Sequence, residues 1–166
     1  MPNWCEGNIR VRGRYENVVA FLEDALETVH GEFNGKEYKT VEKPADVEMN
    51  KDNVILRSGN FKFYIKGTHR NFIDSSAIEV YDYKDNEEHV WVFDNFCATW
   101  SFSHEVSHKA YSDFAKKYNV DIKLFGIEQG MQFVEQVVYY REGNYDEETI
   151  EYDDWDFDCP FPRMGG

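Results

Sequence analysis

Side chains alternate between apolar and polar in Asn8, Ile9, Arg10, Val11 and Arg12, and Gly13 closes the run, which is the period-two pattern of a half-buried strand. The period then changes. Over residues 15–30, Val18, Leu22, Ala25, Leu26 and Val29 recur at steps of three and four, with Phe21 beside them and Glu16, Glu23, Asp24 and Glu27 mostly elsewhere, so an amphipathic helix stopped by Gly31 is expected. Residues 31–53 hold Gly31, Gly35 and Pro44 with no sustained period and are expected as a long surface connection holding at most a short helix or strand. Three runs rich in β-branched and aromatic residues follow at 61–66, 78–83 and 90–98, separated at 84–88 by a polar turn. Ser103 precedes a second helical pattern carried by Val106, Ala110, Phe114 and Tyr118, with Glu105 placed where the helix dipole favours an anion and an end near Asn119. Strands are then expected at 122–128, 131–141 and about 149–152, with turns at Gln129-Gly130 and Gly143-Asn144.

Strand, helix, strands, helix, strand is the order of a split β-α-β unit, so the expected class is α+β. The expected architecture is a ferredoxin-like sandwich of one antiparallel sheet and two packed helices, with an extra C-terminal β-hairpin. Residues 1–143 would form that domain, including the long connection at about 31–53, and residues 144–166 an acidic, aromatic extension. The 166 residues suit a single core, and 42% apolar and 17% aromatic content gives enough surface to bury one.

Charge narrows the range of partners. Eighteen Lys and Arg against 32 Asp and Glu leave a net −14, a balance that repels nucleic-acid phosphate and anionic lipid. Neither direct nucleic-acid binding nor membrane association is expected. No apolar run is long enough for a bilayer span and the N-terminal residues lack the pattern of a signal peptide, so a cytoplasmic location is expected. Cys5, Cys97 and Cys159 are too widely spaced for a zinc-finger or C-x-x-C pair and suit a reducing compartment.

Two strings could carry chemistry. His104-Glu105-Val106-Ser107-His108 matches H-E-x-x-H, which holds zinc on two imidazoles one helical turn apart and uses the glutamate to activate water. The extended form of that motif fails at Tyr111 and Phe114, which leaves Glu128 as the candidate third ligand and a zinc-dependent hydrolase as the alternative function. The leading reading assigns no cofactor and no metal. It rests on the C-terminal charge: residues 121–166 carry a net −9 against −5 for residues 1–120, and from 146 to 158 there are eight acids and no base. Asp146, Glu147, Glu148, Glu151, Asp153, Asp154, Trp155, Asp156 and Asp158 are therefore the candidate partner-binding residues, because aromatics among uncompensated carboxylates suit a contact surface. Trp4, Cys5 and Trp100 are expected in the core.

Met1-Pro2-Asn3-Trp4-Cys5-Glu6-Gly7-Asn8, Ala98-Thr99-Trp100-Ser101 and the run from Phe125 through Gly126, Glu128 and Gly130 to Phe133 resemble, in order, motifs of the YubB ferredoxin-like family of phage, plasmid and integrated-element proteins. The chain departs from that pattern at Phe102-Ser103, where many relatives have prolines, and residues 31–77 show no match. The resemblance implies a ferredoxin-like fold and an origin on a mobile genetic element, and brings no catalytic residue with it. Together with the charge, it leads to the expectation of an acidic accessory protein acting by protein contact. One form is a DNA mimic that occupies a basic host nuclease or regulator.

Overall fold

The computed structural model describes residues 3–33, 35–59, 62–85 and 87–160. Met1 and Pro2 of the opening motif, and Phe61 at the start of the expected 61–66 strand, lie outside them. The first strand, β1 (Trp4–Gly13), is longer than its alternation alone indicated, and α1 (Tyr15–Ala25) follows after one residue. The helix ends earlier than expected. Leu26 is already extended, and β2 (Leu26–Phe33) leaves directly from it. Leu26 and Thr28 are the buried positions at its start, so this stretch obeys a two-residue period that also satisfies a three-to-four-residue template. Pairing of Leu26 with Ile65 and Thr28 with Phe63 decides between the two.

The expected connection is also sheet. It contains β3 (Tyr38–Pro44) and β4 (Asp46–Met49), followed by β5 (Asn53–Arg57), β6 (Phe63–Ile65), β7 (Asn71–Ile73), β8 (Ala77–Tyr81) and β9 (His89–Thr99). Helix α2 (Glu105–Tyr118) starts on His104 rather than Ser103: the imidazole Nδ1 accepts the Val106 N–H at 3.3 Å. It stops at Asn119, whose left-handed φ of 52° is tolerated by its short polar side chain. Then come β10 (Asp121–Glu128), β11 (Phe133–Tyr139), β12 (Tyr145–Ile150) and the single turn α3 (Trp155–Asp158).

These elements do not form the ferredoxin-like split β-α-β sandwich. Among the described residues strand makes up 48% and helix 19%, so the fold is mainly antiparallel β. One sheet has nine strands in the order β12-β11-β10-β1-β9-β7-β6-β2-β3, and a second has three in the order β4-β5-β8. The reason is the segment between β2 and β9. The runs expected at 61–66 and 78–83 hold β6 and β8, but β3, β4, β5 and β7 were not legible as strands; the β6–β7 hairpin inserts into the large sheet, and β4, β5 and β8 build a separate one.

One face of the large sheet carries the core. Ile9 and Val11 of β1, Ile122 and Leu124 of β10, and Val137 and Tyr139 of β11 cluster there with Val18, Phe21 and Leu22 of α1 and Tyr111 and Ala115 of α2. Val54, Leu56, Ile78 and Val80 of the small sheet join the same cluster. The other face is polar along β1 and partly covered further out, where Ile127 and Val134 meet Cys159 with Phe125, Ile150, Tyr152 and Trp155 alongside. The C-terminal segment thus adds an edge strand and then folds back over the sheet's second face.

Between β9 and α2 the chain is pinned to the sheet. The buried Glu135 carboxyl accepts the Ser101 hydroxyl at 2.8 Å, the Phe102 N–H, and the Cys5 thiol at 3.5 Å. Burial, and then the adjoining Glu135, push the Cys5 thiol far above its ordinary pKa, so it is an inert packing group. Phe102 enters a hollow that exists because residue 126 has no side chain: a Cβ there would stand 2.2 Å from the Phe102 ring and 2.7 Å from the Cys5 sulfur. Trp100, expected in the core, is 56% exposed, because its φ of 71° turns the indole outward while its N–H bonds Asn3. Gly126→Ala is expected to cost about 2 kcal/mol by overpacking this hollow, and the added cost to shrink to less than half in a Phe102→Leu background; urea melts of the four proteins measure the coupling.

Candidate functional site

Strand alternation divides the acidic candidates between two faces. In the β11–β12 pair, Glu147 lies opposite Val137 on the helix face, while Asp146 and Glu148 lie opposite Val138 and Gln136 on the other. Glu147 reaches His108 of α2, with its Oε2 3.2 Å from Nε2. The imidazole also stacks on Tyr145 at 4.2 Å between ring centroids and meets the Tyr139 hydroxyl through Nδ1 at 3.0 Å. Tyr139 stacks on Tyr111, whose hydroxyl accepts the Asn71 amide N–H at 3.1 Å. The sequence Glu147, His108, Tyr139 has the form of an acid-base relay, but Tyr139 is wholly buried and its burial pushes the phenol well above the ordinary range. No substrate reaches it there. The relay fastens the edge strand to α2.

On the second face, Glu148 accepts the Gln136 amide at 3.0 Å and Asp146 accepts the Tyr140 hydroxyl at 3.1 Å. Asp154 caps α3 by accepting the Phe157 N–H at 3.3 Å. Glu151, Asp153, Asp156 and Asp158 are exposed and, among the described residues, form no ion pair with Lys or Arg. Trp155 is half-buried in the satellite apolar cluster. The candidates therefore occupy one edge of the sheet and the segment folded beside it, with Glu147 drawn inward.

The zinc string is not assembled as a metal site. His104 spends Nδ1 on its cap and stacks on His69 at 4.1 Å, while both nitrogens of His108 face Tyr139 and Glu147. Glu128 is buried in the β10–β11 turn, where it accepts the N–H groups of Gly130 at 3.0 Å and of Met131. Among the described residues no group of three or more His, Cys, Asp or Glu could hold a metal ion.

A second feature escaped the sequence reading. On the face away from the helices, Arg10 and Lys123 are register partners across β1 and β10, and they border a depression of about 750 Å³. The only signal was alternation: both cations fall on the polar side of their strands. Next to them Asp121, 7% exposed, binds Arg12 through Oδ2 at 2.6 Å and Arg141 through Oδ2 at 2.9 Å, and Arg141 reaches on to Glu88. Burial works to raise the Asp121 pKa, but the Arg141 and Arg12 guanidinium groups overcome it and hold the carboxyl at about 2.

Comparison with protein-family models, curated proteins and solved structures finds no match for the chain. No described helix is long and apolar enough to cross a membrane.

Two pH effects follow from these contacts. Burial lowers the His108 pKa against the opposing pull of Glu147 and Glu135, so the folded state takes up its proton less readily than the unfolded chain. Stability is expected to fall as pH drops below the unfolded value of about 6.5, with a shallower dependence in His108→Phe, measured by urea melts from pH 5 to 7. Asp121 has the depressed carboxyl: its contribution is complete above about pH 4 and lost as pH falls toward 2. Asp121→Asn is expected to cost about 2 kcal/mol at pH 7, with the difference from the parent protein closing in acid.

Proposed function

We propose that the protein acts by contact with a basic macromolecular partner, through the outer edge of β12 and the acidic segment at 151–158. The observation that carries this reading is the lack of cationic compensation: Glu151, Asp153, Asp156 and Asp158 stand exposed without a Lys or Arg partner among the described residues. Beside them β12 is, among the described residues, the terminal strand of the large sheet, so it offers a backbone edge as well as carboxylates. Such a surface attracts a positively charged groove over a Debye length and repels a second copy of itself. A net −14 disfavours nucleic acid as the direct target but suits a protein that binds nucleic acid.

In its sharper form the protein is a DNA mimic, with carboxylates in the places where a basic host nuclease or regulator receives phosphates. The origin on a phage or other mobile element implied by the sequence resemblance belongs to this reading. The chemistry is association, with no bond made or broken.

Affinity capture from host lysate tests it, comparing the parent protein with one in which Asp153, Asp154, Asp156 and Asp158 are all changed to Asn. Asn keeps the helix cap at 154 and removes the charge. Capture is expected to weaken steeply with added salt, to be displaced by duplex DNA and to vanish in the variant. Equal capture by both proteins, or capture indifferent to salt and DNA, overturns the proposal.

A further inference from the structure

The depression around Arg10 and Lys123 meets the acidic edge at Gln136 and Pro160 but has a different chemistry. Even-numbered side chains of β1 and odd-numbered side chains of β10 point to the face opposite the helices, which sets the two cations side by side. Neither forms an ion pair among the described residues, although Arg12, two positions on, is locked to Asp121. Two neighbouring cations repel each other unless an anion is shared between them. In so acidic a chain, carboxylates are plentiful enough to have neutralised both.

The surroundings are ordered to present these charges. Asn8 Oδ1 accepts from Arg10 Nε at 3.0 Å, which holds the guanidinium while leaving its terminal nitrogens uncommitted. Gln136 gives its N–H to Glu148, and that contact fixes the amide with its oxygen left over as an acceptor. The pairing of β1 with β9 slips between Gly7 and Ile9, where Asp94 and Asn95 face the single residue Asn8. At this bulge Asn95 takes a left-handed φ of 58° and is exposed over the depression. Half-buried Phe125 supplies the apolar part of the lining.

We infer that this depression binds a nucleoside monophosphate, with the phosphate between Arg10 and Lys123 and the planar base beside Phe125. The amides of Asn8, Asn95 and Gln136 supply donors and acceptors for the base edge. A volume of about 750 Å³ suits a ligand of that size. Asp94 on the rim repels a longer polyanion, so a single phosphate fits where a nucleic-acid strand does not. The site borders the acidic edge through Gln136 and Pro160, but the groups that would hold the phosphate are Arg10 and Lys123, so failure of either proposal leaves the other standing.

Isothermal titration of the full chain with AMP, GMP, CMP and UMP tests it, with inorganic phosphate and the four nucleosides as further probes. Arg10→Gln and Lys123→Gln remove one charge each from the depression. Lys109→Gln removes the same charge from exposed α2, and circular dichroism checks that all three variants fold. At least one monophosphate is expected to bind one-to-one with a Kd below about 1 mM, weakened tenfold or more by each of the first two substitutions and unchanged by the third. No saturable binding of any monophosphate, equal binding of inorganic phosphate or of the matching nucleoside, or binding indifferent to Arg10→Gln and Lys123→Gln would overturn the assignment.

Discussion

A buried carboxyl group is tolerated only where donors converge on it, and Glu135 gathers three from distant parts of the chain. They come from β1, from the residue after Trp100 and from the backbone of Phe102. Meeting that demand fixes the β9–α2 junction against β11. The fixed junction drops the Phe102 ring into the hollow over Gly126, turns Trp100 outward and sets the position at which α2 begins. From that start, α2 carries His108 to the far edge of the sheet, where it holds β12 through Glu147 and Tyr145. The placement of the acidic edge therefore depends on a carboxyl group several residues inside it.

The two faces of the large sheet then diverge in chemistry. On the helix side, polar groups are spent on one another: Asn71 on Tyr111, Tyr139 on His108, Glu135 on the junction. These contacts give orientation and pH sensitivity. On the other side, charges are displayed. Arg10 and Lys123 face a depression, Asp146 and Glu148 line the edge, and Tyr152, Trp155 and Cys159 cover the apolar patch between. Both functional proposals belong to the displayed face and its edge, where side chains remain available.

Legibility followed the length and regularity of each pattern. β10 and α2 were readable almost to their ends because seven or more residues keep one period. β6 was legible inside the longer run at 61–66, β7 was not, since three residues cannot establish a period, and Leu26 to Val29 fitted both a helical and an extended template. The H-E-x-x-H string was legible as a motif, yet its imidazoles are taken up by a helix cap, a ring stack and an edge strand, none of which is encoded in the spacing. The acidic residues were found as a run. Their division between two faces needed the register of β12 on β11.

The sequence by itself determined the negative balance, the concentration of acids near the C-terminal end, and the existence of the long regular elements, because each is a local or additive property. Tertiary structure alone decided which strands neighbour one another, that nine of them share a sheet, and that Arg10 and Lys123 meet. Pairing is a contest among distant segments settled by burial and hydrogen-bond satisfaction, and no single segment contains its outcome.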